Sequence, residues 1–478
     1  MTSSARLPVG VAAGHPATAE AGAQLLRHGG SAADAAVAAV LTSCAAETIM
    51  TGLGGGGFAT YWSARDRTAT CVDFFVTVPG LGGDTEPGPM RPISVQFGSV
   101  PLQYSIGGAT VAVPGVPAGC AALHDRWGRL PWRDVVAPAA ANAAAGVAMP
   151  HQQASTLESI AEAMTPGEGA LAYVRDGHFL RGGETLRHPG LAETMRLIGD
   201  EGVETCYRGE LADELVDAVR TDGGVLGHED LRAYRVKLFT ADAVPLGGST
   251  VHGRRDLLDT LGAFAGLPDD VAKLTPGDRA LAVARELGGP DGLGDTTNIV
   301  AVDADGDACV VTTSLGLGSG VWLPGRGVHL NSMLGEGELH RGSAPAGSRV
   351  GSMMCPVVVT DFGELTLAAG AAGASRIRTA IVLSVLGVVA EDLPPDEAIA
   401  RGRYHRVGRT VHAEPDVSGD VLEALGGRYE VRIGDAPPHY FGGASMVGRG
   451  GGGADPRRGG TFVELLPTPT RRPHSPEG

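Results

Sequence analysis

Thr296 heads a strand-like run, TTNIVAVD, directly after the glycine-rich approach GGPDGLGD. In mid-chain a threonine hydroxyl is a poor nucleophile. Once the Asp295–Thr296 bond is cut, the freed α-amine lies within reach of its own Oγ and can take the hydroxyl proton. The reference pKa of such an amine, about 8, leaves a useful neutral fraction at pH 7. That chemistry is acyl transfer, and it needs donors for an oxyanion. Gly370-Ala371-Ala372-Gly373-Ala374, read as following a strand, presents backbone N–H groups with no side chain in the way. The competing reading is a buried, threonine-rich hairpin with no chemistry.

Commoner signatures are missing. There is no H-E-x-x-H, no Walker A motif and no G-x-S-x-G, and Ser375 is followed by Arg376 where a nucleophile elbow has glycine. The 14 histidines show no metal-ligand spacing, so no metal and no cofactor are expected, and activity should survive a chelator. His15, His124, His405 and His439 read as capping or packing residues. Gly52 to Gly57 and Gly448 to Gly453 both fit G-x-G-x-x-G formally. Neither has the strand before and helix after that dinucleotide binding requires, so both read as close backbone packing.

The elements that must position Thr296 follow from local pattern. TTNIVAVD, the turn at Ala304-Asp305-Gly306 and ACVVTTSL make a hairpin, with Gly306 suited to the left-handed loop position. Pairing Asp303 with Asp307 sets Thr296 opposite Ser314, at the end of a ladder so apolar that both faces must be covered. The acidic turn lacks the glycine placement of a calcium loop. Ala17 to His28 and Ser31 to Ala46 read as two Ala-rich helices split by Gly29-Gly30, packing as one outer layer on a sheet. FATYW and TATCVDFFV read as a second hairpin. Residues 84 to 106 read as a long loop, Pro117 to Gly146 and Gly209 to Arg220 as helical, and 240 to 295 as vague, with helical periodicity near Leu257 to Phe264 and Asp278 to Leu287. Strands at Pro356 to Thr360, Leu365 to Ala368 and Thr461 to Leu465 and a helix at Ser375 to Ala390 complete the pattern, and 467–478 reads as a disordered tail.

Composition bounds the function. The chain has 478 residues, 43% hydrophobic, with a net charge of −16, which makes a globular body that repels nucleic acid. Only Lys237 and Lys273 are lysines, so lysine chemistry is nearly excluded. The six cysteines are scattered without C-x-x-C and read as buried thiols. No cationic segment followed by an apolar one opens the chain and no run is long enough to span a bilayer, so a cytoplasmic location with no membrane partner is expected.

Several separated segments then resemble one family. GHPATAEAGAQLLRHGGSAADAAVAAV, GLGGGGFATYW, VAVPGVPAG, DTTNIVAVDADGDACVVTTSL, LNSM, AGAAGASRIRTA, YFGGASMV and DPRRGG are similar to the γ-glutamyltranspeptidase family, in the family order. The resemblance implies an α/β fold, the four-layer αββα sandwich of N-terminal nucleophile hydrolases, made as one self-cleaving precursor. Cleavage between Asp295 and Thr296 would give a large subunit, 1–295, and a small one, 296–478, forming one sandwich. Thr296 would be the nucleophile, Ser314 its supporting hydroxyl, and Gly373 and Ala374 the oxyanion pair. The acyl group of a small-molecule amide would pass to water or an amine. Nominal substrates are γ-glutamyl amides such as glutathione.

Departures concern the substrate. The family's D-F-R-E arginine, which grips the γ-glutamyl carboxylate, is replaced in Asp73-Phe74-Phe75-Val76 by Phe75. The serine pair reads Ser352-Met353, the asparagine after T-L is Gly316, the acid near the amino group is at best Glu336, Met333 replaces a polar residue, and T-T-H reads Thr296-Thr297-Asn298. These changes favour a different acyl amide, and Phe75→Arg is expected to raise γ-glutamyl hydrolysis. The alternative is a catalytically silent member serving as a binding or scaffold protein.

Overall fold

In the computed structural model, which describes residues 6–83, 85–97, 100–255, 260–288, 295–336 and 344–466, alternation along the strands sets the layers. In chain order the principal strands are β1 (Gly10–Ala13), β2 (Gly56–Ser63), β3 (Thr68–Phe74), β4 (Arg91–Phe97), β5 (Val100–Ile106), β6 (Lys237–Thr240), β7 (Asp242–Leu246) and β8 (Ser249–Gly253). They continue as β9 (Asp295–Val302), β10 (Ala308–Gly316), β11 (Val357–Asp361), β12 (Glu364–Ala372), β13 (Gly443–Gly448), β14 (Gly451–Ala454) and β15 (Thr461–Glu464). One sheet has the order β6-β3-β2-β10-β9-β1-β15 and the other β7-β8-β11-β12-β13-β14.

Along β9, Ile299 and Ala301 point into a cluster with helical residues such as Val37 and Leu41. Val300 and Val302 point the other way, against Val358, Ala368 and Val447 of the second sheet. A strand covered on both faces has no polar side to show, which is why its sequence is a nearly unbroken apolar run. The principal helices are α1 (Pro16–Arg27), α2 (Ala32–Ala46), α3 (Val116–Trp127), α4 (Trp132–Ala145), α5 (His151–Leu157), α6 (Leu191–Glu201), α7 (Glu210–Thr221), α8 (Pro276–Leu287) and α9 (Arg376–Glu391). Residues of α1–α4, α6 and α7 cover the first sheet and residues of α8 and α9 the second. The result is a four-layer αββα sandwich.

The helix α2 is buried along its whole length, and its small side chains let it lie close to β9 and β10. Its start is fixed by a capping box: Asp34 N–H donates to Ser31 Oγ (3.1 Å) and Ser31 N–H to Asp34 Oδ2 (2.9 Å). Ala32 N–H also donates to Asp303 Oδ2 (3.1 Å), so the acidic β9–β10 turn serves the positive end of this helix. Arg129 reaches the same turn, 2.7 Å from Asp305 and 3.3 Å from Asp303. The turn's negative charge thus has local structural partners.

Three segments depart from expectation. The stretch read as a loop at 84 to 106 holds the antiparallel β4–β5 hairpin. Ile93 and Val95 on one strand and Tyr104 and Ile106 on the other are buried at alternate positions, a period-2 signal that the local prolines and glycines obscured. The vague stretch after 240 supplies β7 and β8, with β8 pairing to β11 and Pro245 on the edge strand β7. The helical region at 117 to 146, expected to be punctuated at Pro131 and Pro138, breaks at Pro131 only, and Pro138 lies inside the second helix. The tail 467–478 and most of GGPDGLGD lie outside the described residues. Five cysteines are buried and Cys206 is partly so. Among the described residues no helix is long and apolar enough to cross a membrane, and no three His, Cys, Asp or Glu side chains are grouped to hold a metal ion.

Candidate functional site

The ladder between β9 and β10 keeps the expected register from Val302↔Ala308 to Thr297↔Thr313 and then shifts, with Asp295 opposite Gly316. Thr296 therefore faces two residues, Ser314 and Leu315, across a β-bulge, and not Ser314 in a ladder pair. The cause is visible on β10. Leu315 N–H leaves the ladder for Met50 O (3.3 Å), Gly316 N–H turns back to Ser314 Oγ (2.9 Å), and Gly316 has φ +67°. A bulge re-aims the residue it opposes and interrupts the pairing locally.

Thr296, 3% exposed, lies on a narrow cleft between the ends of the two sheets, together with Thr297 and Asn298. Its other walls include Glu47, Gln153, His439 and Arg458. The Asn298 side-chain amide hydrogen-bonds Thr312 Oγ1 at 2.7 Å, and Ser445 Oγ donates to Asn298 O at 3.3 Å. Ala372, the last residue of β12, also lines the cleft, and Gly373 and Ala374 follow it at the entry to α9. Gly373 has φ +122° and Ala374 φ +51°. For alanine that is a strained, left-handed conformation. Ala374→Gly is expected to raise stability by about 0.5–1 kcal/mol while self-cleavage persists, as read by thermal unfolding and electrophoresis.

Charges on the cleft were not legible as a group. Glu47 is buried at the end of α2, and burial pushes its carboxyl above the usual range. Hydroxyl bonds from Thr297 and Thr18 and the neighbouring His15 and Arg458 offset only part of that. His439, read as a capping or packing residue, sits on the cleft, and burial with the nearby Arg458 and Arg376 charges lowers it to about 4. It is a neutral imidazole near pH 7. Asp455 is held below the usual carboxylate range because Arg403 (2.6 Å) and Arg457 (3.3 Å) outweigh its burial. Gln153 is 3% exposed, and its Oε1 has no hydrogen-bond partner among the described residues. One signal for Glu47 was available in the sequence: an acid at the end of an alanine-rich, mostly apolar helix, just before the glycine run, is an unusual buried charge.

The residues expected to bind substrate are placed otherwise. Phe75, Met333 and Met353 all belong to one large buried apolar cluster, and none of them lines the Thr296 cleft. The Phe75 ring stacks on Phe58 at 5.2 Å, and the Arg254 guanidinium lies 3.6 Å from the Phe58 centroid. Ser352 is buried, with its Oγ accepting from Met354 N–H (3.2 Å) and its carbonyl from Arg254 (2.9 Å). Glu336 accepts from Leu317 N–H (3.1 Å), and a Cβ placed on Gly316 would fall on that carboxylate. Of the expected substrate residues, only Asn298 lines the cleft.

A sequence model of the γ-glutamyltranspeptidase family matches residues 18–255 and 276–465. The chain belongs to the γ-glutamyltranspeptidase family. Relatives include the glutathione hydrolase proenzyme of Pseudomonas aeruginosa, 29% identical over 81% of this chain and 81% of that protein. The acylase ACY 1 proenzyme of Pseudomonas sp. (strain V22) is 27% identical over 87% of this chain and 85% of its own. Among solved structures, cephalosporin acylase from Bacillus halodurans superposes with a TM-score of 0.80 at 22% identity, covering 97% of each chain, which places the fold. This member of the γ-glutamyltranspeptidase family has a threonine at a strand-end bulge, on a cleft whose wall leads into a glycine turn.

Proposed function

We propose that the chain is a self-processing N-terminal-threonine amidohydrolase and acyltransferase. The observation that carries this is Thr296, set at a β-bulge on a cleft whose wall leads into the left-handed Gly373–Ala374 turn. In processing, Thr296 Oγ adds to the Asp295 carbonyl carbon, the C–N bond breaks, and the hydroxyl proton ends on the new α-amine. Water then hydrolyses the ester, restoring the hydroxyl and leaving Asp295 as a carboxylate, with fragments of 295 and 183 residues. In turnover the α-amine takes the Oγ proton as the hydroxyl attacks an amide carbonyl. The oxyanion is held by Gly373 and Ala374 N–H at the positive end of the 16-residue helix α9. Ser314 Oγ stands across the bulge as the second hydroxyl. The acyl group leaves Thr296 to water or an amine.

For the substrate, the packing of Phe75, Met333 and Met353 favours an acyl amide other than a γ-glutamyl one. Removing a guanidinium–carboxylate contact from a desolvated site costs about 1.5–3 kcal/mol or more of binding. The unpartnered Gln153 oxygen on the cleft suits the N–H of an amide or amine. Intact mass and N-terminal sequencing test the processing step directly: two fragments are expected, the smaller beginning at Thr296. A single intact chain after long incubation would move the reading to a non-enzymatic binding protein. A panel of acyl anilides, with the γ-glutamyl compound as one member, then ranks the acyl group. Turnover in excess chelator should equal turnover without it, and loss of activity would reveal a metal requirement.

A further inference from the structure

The segment from Glu47 to Thr51, between α2 and the glycine run, touches the bulge at three points. Thr297 Oγ1 donates to Glu47 Oε2 (2.5 Å). Thr51 Oγ1 and Thr313 Oγ1 are hydrogen-bonded at 2.8 Å, on the last regular ladder pair. Met50 O accepts from Leu315 N–H at 3.3 Å, the bond that pulls β10 out of register. Only the first of these is to a charged group, and it lies on the strand whose preceding bond is to be cut. The other carboxylate oxygen of Glu47 accepts from Thr18 Oγ1 (2.7 Å) on α1. Thr18, Glu47 and Thr297 are all buried. A carboxylate anchored at both oxygens leaves the Thr297 side chain one place to go, and Thr297 is joined directly to Thr296.

We propose that Glu47 is the positioning residue for self-cleavage, holding Thr297 and thereby the Asp295–Thr296 peptide in the geometry the hydroxyl attack requires. This rests on Thr296 as the nucleophile. Glu47 acts through Thr297 and is not itself assigned contact with the reacting atoms. A near-attack arrangement matters because misplacement of about 1 Å costs on the order of a hundredfold in rate.

The arrangement predicts how cleavage responds to pH. The ionised carboxylate accepts both hydroxyl bonds, whereas the protonated form brings its own O–H and gives up an acceptor site. Burial moves Glu47 upward, so the acid limb of the cleavage rate lies above the range of an exposed glutamate. The sign for folding is the same physics: a carboxyl raised on folding contributes stability at low pH that is lost as pH rises through its folded value. The groups facing Glu47 are His15 ahead of α1, Cys44 on α2 and Arg458 beyond β14. The Cys44 thiol is pushed far up by burial and stays protonated, and Arg458 stays charged. On the cleft wall His439, at about 4, titrates lower. The α-amine cannot supply this limb, because before the cut the Thr296 nitrogen is an amide.

The test follows appearance of the two fragments by denaturing electrophoresis after cell-free synthesis of the full chain, from pH 4.5 to 8. Glu47→Gln is expected to slow cleavage by about tenfold to a hundredfold and to erase the acid limb. Glu47→Asp keeps a limb with a reduced rate. Thr297→Val should slow cleavage to a similar degree, and the double variant should be no slower than the slower single one, since both remove the same bond. Circular dichroism and melting temperature report whether each variant folds, and Thr297→Val carries the test if Glu47→Gln does not. An unchanged rate and pH limb in folded Glu47→Gln, or single effects that multiply in the double variant, overturns the proposal. Thr296→Ala run alongside separates the two failures: fragments from that variant sink the nucleophile assignment itself.

Discussion

Thr296→Ala is expected to leave one uncut chain of 478 residues and to abolish turnover, by about 10⁴-fold or more. The substitution removes the only atom proposed to attack both the Asp295 carbonyl and the substrate. Structurally it is mild, since alanine fits a buried strand end with space to spare. Loss of function with an unchanged far-UV spectrum would therefore report chemistry and not misfolding. Thr296→Ser separates the hydroxyl from the methyl group: it should still cut, more slowly, because serine lacks the β-branch that restricts χ1 in a strand. Two fragments from Thr296→Ala would refute the assignment outright, whatever the turnover.

Phe75→Arg is expected to destabilise the protein by about 3–5 kcal/mol, seen as a fall in melting temperature, and to gain no γ-glutamyl hydrolysis. This reverses the expectation drawn from the motif alone. Phe75 is 1% exposed, stacked on Phe58, and packed in the cluster that holds Met333 and Met353. A guanidinium there has no carboxylate waiting, because Asp73 of the same motif is already paired with Arg349 at 3.1 Å. It would also join Arg254, whose charge lies against the Phe58 ring. An arginine placed there meets an apolar cluster and a second guanidinium, so one substitution is not expected to create a carboxylate site. A folded Phe75→Arg that hydrolyses γ-glutamyl anilide above the parent would show that the cluster opens to accept a carboxylate.

What the sequence made legible was whatever depended on local pattern. The paired helices α1 and α2, the β2–β3 hairpin, and the β9–β10 register through Thr297↔Thr313 follow from alternation, capping residues and turn glycines. The bulge was not legible, since it is caused by Met50 capturing Leu315 N–H, a contact made across a long separation in sequence. Glu47, Gln153 and Arg458 went unseen as a group for a related reason. They come from three distant segments and meet only when both sheets are stacked. The β4–β5 hairpin was hidden differently, by a composition of proline, glycine and serine that outweighed its alternating Ile93 and Val95.

The strand order of the first sheet bears on the cleavage proposed before Thr296. From edge to edge, β6, β3 and β2 precede the proposed cut, β10 and all of β9 beyond Asp295 follow it, β1 precedes it and β15 follows it. The strand β1 lies between β9 and β15, hydrogen-bonded to both. The second sheet is divided too, with β7 and β8 from one fragment and β11–β14 from the other. The two fragments of that cut would be interdigitated, so separating them would mean tearing both sheets, and dissociation would be the same event as unfolding. Assembly is unimolecular for the intact chain but bimolecular for the nicked one. Cleavage there would therefore make folding hysteretic: the molecule would mature along a path it cannot retrace, with a lifetime set by the barrier to leaving the native state.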